Sequence, residues 1–326
     1  MFNKARLKFD DIFENRLPEE DVKEYLIELY LKGEEAGEIA AAATAMREHM
    51  IPIVLEQSLQ EKLVENVGTG GDKSNSFNIS STVSIIAAAC GSIVAKHGNR
   101  SITSKSGSAD MLEALGLNLN LSVEQQVQML DKVGFAFLFA QKHHPAMKHI
   151  MPIRKSIDHR TIFNILGPLS NPASVHKQVI GVFSKEFVPK IAEALTHLNT
   201  KRAMVVSSAD GMDEISICDI THCAFVERGK VNEFTLDPRE YGFDFYDKSE
   251  IIGGDAKQNA EITKGILDGS ITGAKRDIVL LNTAVTLLVD NKVNSTEEGI
   301  EMAKDTINSG KAIQKLTEII RVSNEL

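Results

Sequence analysis

Cysteine, long apolar stretches and surplus positive charge are all scarce in this chain of 326 residues. Three cysteines are too few for a disulfide framework at this length. Cys218 and Cys223 flank His222 in CDITHC, but a zinc site needs a further ligand pair at a suitable spacing. None is evident, so both read as small buried apolar residues. No stretch of about 18 consecutive apolar residues occurs, which excludes a helical membrane span. The opening segment MFNKARLKFDDIFENRL mixes charges among its apolar residues. It is not expected to be a secretory signal, and a reducing cytoplasm is the expected compartment. The net charge of −9 argues against a general surface for nucleic acid or an anionic membrane. Internal repeats and low-complexity tracts are lacking too.

An ordinary globular composition remains, 43% hydrophobic and 25% charged, in a chain long enough for two domains or one domain with a lobe. The first sixty or so residues show helical patterns only. PEEDVKEYLIELYLKG ends on Gly33, AGEIAAAATAMREHM is rich in alanine, and no strand is expected before Val64. Beyond it, short β-type runs (SIVAKHG, FAFLFA, VHKQVIGVF, KRAMVVSS) alternate with helical patterns (STVSIIAAACG, SADMLEALG, SVEQQVQMLDKVG). Such alternation predicts βαβ units and a parallel sheet. Ser122 with Gln125, and Ser295 with Glu298, predict capping boxes. One long segment, HPAMKHIMPIRKSIDHRTIFNILGPLSNP, breaks the alternation. It reads as helical, stopped by Pro168 and Pro172, and able to rejoin the N-terminal helices. After strand-like pieces near residues 215–237, the chain turns helical from about Ala256. The expected fold is α/β: a small all-helical domain (1–64 with 143–170) and a larger α/β domain (65–142 with 171–326). The larger domain has a mostly parallel central sheet with flanking helices, and a cleft between lobes is a common place for a ligand.

Three stretches carry chemistry. NVGTGGDKSNSFNISS, residues 66–81, is neither a Walker loop nor a G-x-G-x-x-G fingerprint, since position 73 is Lys. Gly68, Gly70 and Gly71 can take positive φ and let backbone N–H groups approach an anion. Asn78, Ser80, Ser81 and Thr82 open an apolar helix whose free N–H groups favour phosphate. Taken alone, the stretch is a phosphate cradle or a capped surface turn. AKHGNRSITSKSGSADMLEALG, residues 95–116, is a second such loop: Lys96 closes a strand, Gly98 begins the loop, His97, Asn99 and Arg100 add donors, and Ser104, Ser106 and Ser108 precede a helix. Both loops fall at strand carboxyl ends, where open α/β sheets bind ligands. SSADGMDEIS, residues 207–216, brings Asp213 and Glu214 to a third strand end, as an acidic turn or as ligands for magnesium shared with substrate phosphates. No Ser-His-Asp arrangement or reactive cysteine asserts itself. Together the stretches suggest a phosphorylated substrate with phosphate or pyrophosphate as leaving group.

GTGGD, KHGNR, SGSADMLEALG, RTIFNILGPLSNPA and DGMDE, followed by GGDAKQNAEI and RDIVLLNTAVTL, resemble the signatures of the anthranilate phosphoribosyltransferases in order and spacing, over nearly the whole chain from about residue 10. The resemblance implies a homodimer of two-lobed chains. It implies joining of anthranilate to 5-phosphoribosyl 1-diphosphate, with release of diphosphate, in tryptophan biosynthesis. By motif position, Gly68, Gly71, Asp72, Ser76, Asn78, Ile79, Ser80 and Ser81 would line the phosphoribosyl diphosphate site. Lys96, His97, Gly98, Asn99, Arg100 and Ser104 would continue it, with Ser108 nearby. Asp213 and Glu214, with Ser80, would hold Mg2+. Gly68, Asn99, His144 and Arg154 would meet anthranilate, and Lys96, Asn99 and Arg154 carry the catalytic roles. Arg154 suits a planar carboxylate because a guanidinium can bind it through two parallel bonds.

Arg160 reads instead as structural or at the cleft rim, and His159 stands near a position often occupied by glycine in the family. His143, His144 and His149 could also be read as a metal cluster. A hinge near residues 65 and 142 would let the lobes bring acceptor to donor. Two alternatives share the fold: a pyrimidine nucleoside phosphorylase, whose lysine loop differs from KHGNR, and a non-catalytic nucleic-acid-binding relative, which the charge of −9 opposes.

Overall fold

The computed structural model describes residues 2–101 and 105–326. Four helices come first: α1 (Phe2–Phe13), α2 (Glu19–Lys32), α3 (Ala36–Glu48) and the short α4 (Gln57–Gln60). The α/β part then runs β1 (Leu63–Gly68), α5 (Ile79–Ala89), β2 (Ile93–Gly98), α6 (Ser108–Ala114), α7 (Val123–Val133) and β3 (Phe135–Phe139). A helical excursion follows: α8 (Ala140–His143), α9 (Met147–Lys155), α10 (Phe163–Leu166) and a 3-10 turn, Gly167–Leu169. The chain returns through β4 (Lys177–Gly181), α11 (Phe187–Thr196), β5 (Arg202–Ser208), β6 (Thr221–Glu227) and β7 (Lys230–Leu236). It ends with α12 (Ala256–Leu267), α13 (Ala274–Val289), α14 (Thr296–Asn308) and α15 (Lys311–Glu325).

The sheet has seven strands in the order β3-β2-β1-β4-β5-β6-β7. The first five are parallel, and β6 and β7 add an antiparallel edge. The strand order reverses between β1 and β4, the switch point where such sheets bind ligands.

Period-two alternation divides β4, β5 and β6 between two cores. Val179, Met204, Val206 and Cys223 face the layer of α5, α13 and α15, whereas Ile180, Val205, Ala224 and Val226 face α11 and the helical bundle. The excursion does rejoin the N-terminal helices. Phe163 meets Phe9 and Phe13 edge-on at 6.3 and 6.0 Å, and His149 Nε2 lies 3.0 Å from Ile12 O. The bundle therefore shares an apolar core with the sheet.

Local signals match closely at several elements. α2 stops at Gly33 with φ of 80°, and α7 carries the complete Ser122–Gln125 box. Other details differ. Ser295 caps α14 by accepting Glu298 N, but the Glu298 carboxylate reaches back to Asn294 N, so that box is only half formed. α10 does end at Leu166, just ahead of Pro168, but the chain goes on into a 3-10 turn that contains this proline, while Pro152 is accommodated within α9. The first strand begins at Leu63, one residue before its expected start.

Candidate active site

The three chemistry-bearing stretches converge on the carboxyl ends of β1, β2 and β5. The loop after β1 turns through positive φ at Gly70 and Gly71 (72° each) and again at Lys73 and Asn75. Several of its N–H groups are already held within the protein: Gly70 N by Asp213, Ser74 N by Asp72 and Ser76 N by the Ser74 hydroxyl. Gly68 has a different role from the one its neighbours suggest. It lies in β1, in register with Gly181 of β4, and has no positive φ. A Cβ on either glycine would strike Asp213, so the pair forms a floor on which the acidic loop rests. Asp213 Oδ2 accepts the Gly70 N–H at 2.6 Å, and the Ser80 hydroxyl donates to Glu214 Oε1.

Burial is the first cause of the electrostatics here, and neighbouring charge is the second. Asp213 is held well above the ordinary carboxylate range by burial and by Asp72 and Glu214. Burial raises Glu214 to about 7 against the pull of Ser80 and Lys96. These acids crowd together without enough positive charge, which suits a hard cation. Among the described residues no group of three or more His, Cys, Asp or Glu side chains is gathered as a metal site. Two carboxylates and the Ser80 hydroxyl make a partial oxygen set, and magnesium, which keeps waters and bridges to substrate phosphates, fits such a set.

Lys96 lies inside β2, which runs on to Gly98, so it does not close its strand. Its ammonium is buried and donates to Asn66 O at 3.0 Å. Burial lowers its pKa to about 8, opposed by Glu65 and Glu214. Asn66 also donates to Ser80 O at 2.8 Å, linking the lysine to the start of α5. Asn78 does not cap α5 with its side chain. It ties loops together instead: Oδ1 accepts from Ser106 Oγ at 3.1 Å and from Asn259 Nδ2 at 2.9 Å. Ser76 bridges to Ile252 and accepts the Ser74 hydroxyl at 3.1 Å. Ile79 and Ser81 are buried in α5. Asp72 accepts Ser74 N at 3.2 Å.

In the second loop, Asn99 O accepts the Ser108 hydroxyl at 3.3 Å, and Asn99 Oδ1 accepts from Gln141 at 3.3 Å. The Arg100 guanidinium is engaged by Asp110 and Glu113, at 2.9 and 2.8 Å. Ser104 lies outside the described residues.

The histidines divide by partner. His143 lies between two protein groups, Ile51 O at 2.8 Å from Nδ1 and Gln126 Oε1 at 3.1 Å from Nε2. His97 and His144 sit with ring centroids 5.1 Å apart, and the Nε2 of each is buried without a protein partner. Burial keeps both neutral, lowering His144 to about 4.

Arg154 projects from the last turn of α9. Among the described residues its guanidinium meets Met151 Sδ at 3.5 Å and the Phe163 ring at 5.6 Å, and burial lowers its pKa. A half-buried guanidinium with sulfur and an aromatic ring for company is short of an anion. Arg160 is occupied: it stacks 3.6 Å from the Phe183 ring centroid and donates to Gly71 O. His159 stacks on Tyr30 of α2 at 3.8 Å. This segment therefore runs from the helical bundle to the first loop.

Sequence reasoning missed Glu65, Asn66, Asn171, Gln178 and Asn259. Only a lone Glu inside an apolar strand and the amide-rich GGDAKQN could have signalled them, because their partners are remote in sequence.

Both parts of the chain match one class of protein. Residues 3–50 match the helical bundle domain of a glycosyl transferase family, and residues 60–313 match the α/β domain of that family. An anthranilate phosphoribosyltransferase of Petrotoga mobilis is 45% identical, over 97% of this chain and 90% of its own. One from Listeria monocytogenes is 44% identical over 97% and 92%. The crystal structure of the Thermus thermophilus enzyme superposes with a TM-score of 0.92 at 36% identity, covering 99% of this chain and 96% of that one. The Saccharomyces cerevisiae enzyme in complex with PRPP and Mg gives 0.88 at 29%, covering 100% and 93%. The chain belongs to the anthranilate phosphoribosyltransferase family.

Proposed function

We propose that the three loops form one active site that transfers the 5-phosphoribosyl group of 5-phosphoribosyl 1-diphosphate to the amine of anthranilate, in tryptophan biosynthesis. The carrying observation is the convergence itself: Gly70 on Asp213, Ser80 on Glu214 and Lys96 on Asn66 tie three strand ends to one point. The C1–O bond to diphosphate breaks through an oxocarbenium-like state, the amine nitrogen bonds to C1, and the amine proton leaves. The N–H groups of the Gly71–Asn75 turn that Asp72 and Asp213 do not already hold, with the start of α5, bind the diphosphate and phosphate, and Lys96 offsets charge building on the leaving group. Asp213, Glu214 and Ser80 would hold Mg2+, which supplies further charge stabilisation to the diphosphate. Aromatic amines are weak, neutral nucleophiles, so positioning matters more than a strong base. Arg154 receives the anthranilate carboxylate, Asn99 bounds the ring, and His144 lines its path.

Arg154 and the GTGGD loop belong to different lobes, residues 1–64 with 143–170 and residues 65–142 with 171–326. Bending near residues 65 and 142 adjusts their separation. The chain acts as a homodimer, for which exposed Leu7 and Leu31 supply apolar surface on the helical lobe. Free Cys90, Cys218 and Cys223 suit the cytoplasm. Among the described residues no helix is long and apolar enough to cross a membrane.

Loss of anthranilate fluorescence on adding 5-phosphoribosyl 1-diphosphate, with and without magnesium, tests the reading. Loss requiring both supports it; no loss from folded protein with fresh donor refutes it.

A further inference from the structure

Strands β1 and β2 pair in register only where they start, at Leu63 with Ile93 and Val64 with Val94. Beyond that, β1 continues along β4 to Gly68, and β2 continues along β3 to Gly98. The sheet opens between β1 and β2 as it approaches the site. Parting strands leave backbone groups in a dry interior without ladder partners, and such groups must be satisfied in another way. Here side chains satisfy them. Asn171 Nδ2 donates to Ala95 O at 2.8 Å, Lys96 Nζ donates to Asn66 O at 3.0 Å, and His97 N donates to Glu65 Oε1 at 3.0 Å.

Glu65 links this opening to the rest of the site. It is fully buried and lies in register with Gln178, also fully buried. Gln178 Nε2 donates to Glu65 Oε2 at 2.8 Å and to Pro168 O at 2.9 Å, in the 3-10 turn. The neighbouring Gly167 O lies 3.2 Å from His97 Nδ1. One carboxylate thereby connects β2, β4 and the turn that follows the Arg154 segment. Both of its oxygens accept N–H donors. An amide in its place could accept from His97 N, but its NH2 would then confront the NH2 of Gln178, donor against donor.

We propose that Glu65 is a positioning residue for the transfer: by taking the His97 amide where the β1–β2 ladder ends, and by anchoring Gln178 to Pro168, it sets the divergence of β2 that presents Lys96 and His97 to the phosphoribosyl donor. This rests on the reading of the Lys96–His97 strand end as part of the donor site.

Steady-state kinetics of Glu65→Gln, Glu65→Asp and Gln178→Met, with folding checked by circular dichroism, tests it. Glu65→Gln should raise the KM for 5-phosphoribosyl 1-diphosphate about tenfold and lower kcat, with the anthranilate KM within about twofold. Glu65→Asp, which keeps both acceptor oxygens, should recover part of the donor KM. A folded Glu65→Gln with an unchanged donor KM overturns the proposal, as does a fall in kcat that leaves both KM values alone. Should Glu65→Gln not fold, Gln178→Met decides: a donor KM raised about threefold supports the role, and an unchanged one overturns it. Wild-type turnover, measured alongside, separates the two readings. Its absence removes the donor-site assignment itself, whereas its presence with unmoved variants removes only Glu65.

Discussion

Replacing Gly181 by alanine tests the glycine floor beneath Asp213. The added Cβ would fall on the Asp213 carbonyl, well inside 3.0 Å, and that atom belongs to backbone, which cannot swing aside as a side-chain tip can. The Asp213–Glu214 loop must retreat by about 1 Å or more, a displacement that costs roughly 100-fold in rate when it separates reacting groups. That factor corresponds to about 2.7 kcal/mol of lost transition-state stabilisation. Overpacking should also lower the fold's stability by about 1–3 kcal/mol. The assay is anthranilate fluorescence decay at several donor and magnesium concentrations, with thermal melts in parallel. The loss should include a raised magnesium requirement, because the displaced atoms belong to the acidic loop. Gly37→Ala is the control. Among the described residues nothing beyond its own helical turn lies within 4 Å of its added Cβ, and it sits in α3 of the bundle. It should leave activity unchanged and stabilise the protein by about 0.5–1 kcal/mol. A folded Gly181→Ala enzyme with kcat/KM within about threefold of wild type would refute the floor argument.

Arg154→Ala should raise the anthranilate KM by about 10- to 100-fold, the equivalent of one charged hydrogen-bonded contact, while the donor KM moves little; equal loss of both in substrate titrations would sink the assignment. Arg160→Ala should do the reverse, because its partners are Gly71 O and Phe183: donor KM rises and anthranilate KM holds, as read in the same titrations. Asp213→Asn with Glu214→Gln should abolish magnesium-dependent turnover and leave the circular dichroism spectrum intact. Both carboxyls are raised in the fold, Glu214 to about 7, so the native state binds more protons than the unfolded chain above the ordinary carboxylate range, and stability falls as pH rises from there. The double variant should therefore gain more in melting temperature at pH 8 than at pH 5, and a gain confined to acid pH would contradict the burial argument.

The sequence by itself determined the features that depend on near neighbours. The Gly33 stop, the Ser122–Gln125 box and the short apolar runs of β4 and β5 depend on residues within a few positions of one another, and short-range sterics and hydrogen bonding suffice to specify them. So do the positive φ angles at Gly70 and Gly71. Motif spacing also carried the family and placed three loops at strand ends. Tertiary structure alone decided what those loops touch. Gly68 and Gly181 are separated by more than a hundred positions, yet side by side they make room for Asp213. Asn78, Ser106 and Asn259 meet from three distant segments. Two arginines six positions apart diverge, one occupied at Gly71 and the other beside Met151 and Phe163. The opening between β1 and β2 is invisible in either strand's sequence, because a ladder ends where two backbones diverge in space. Only there does a buried glutamate such as Glu65 acquire its partners.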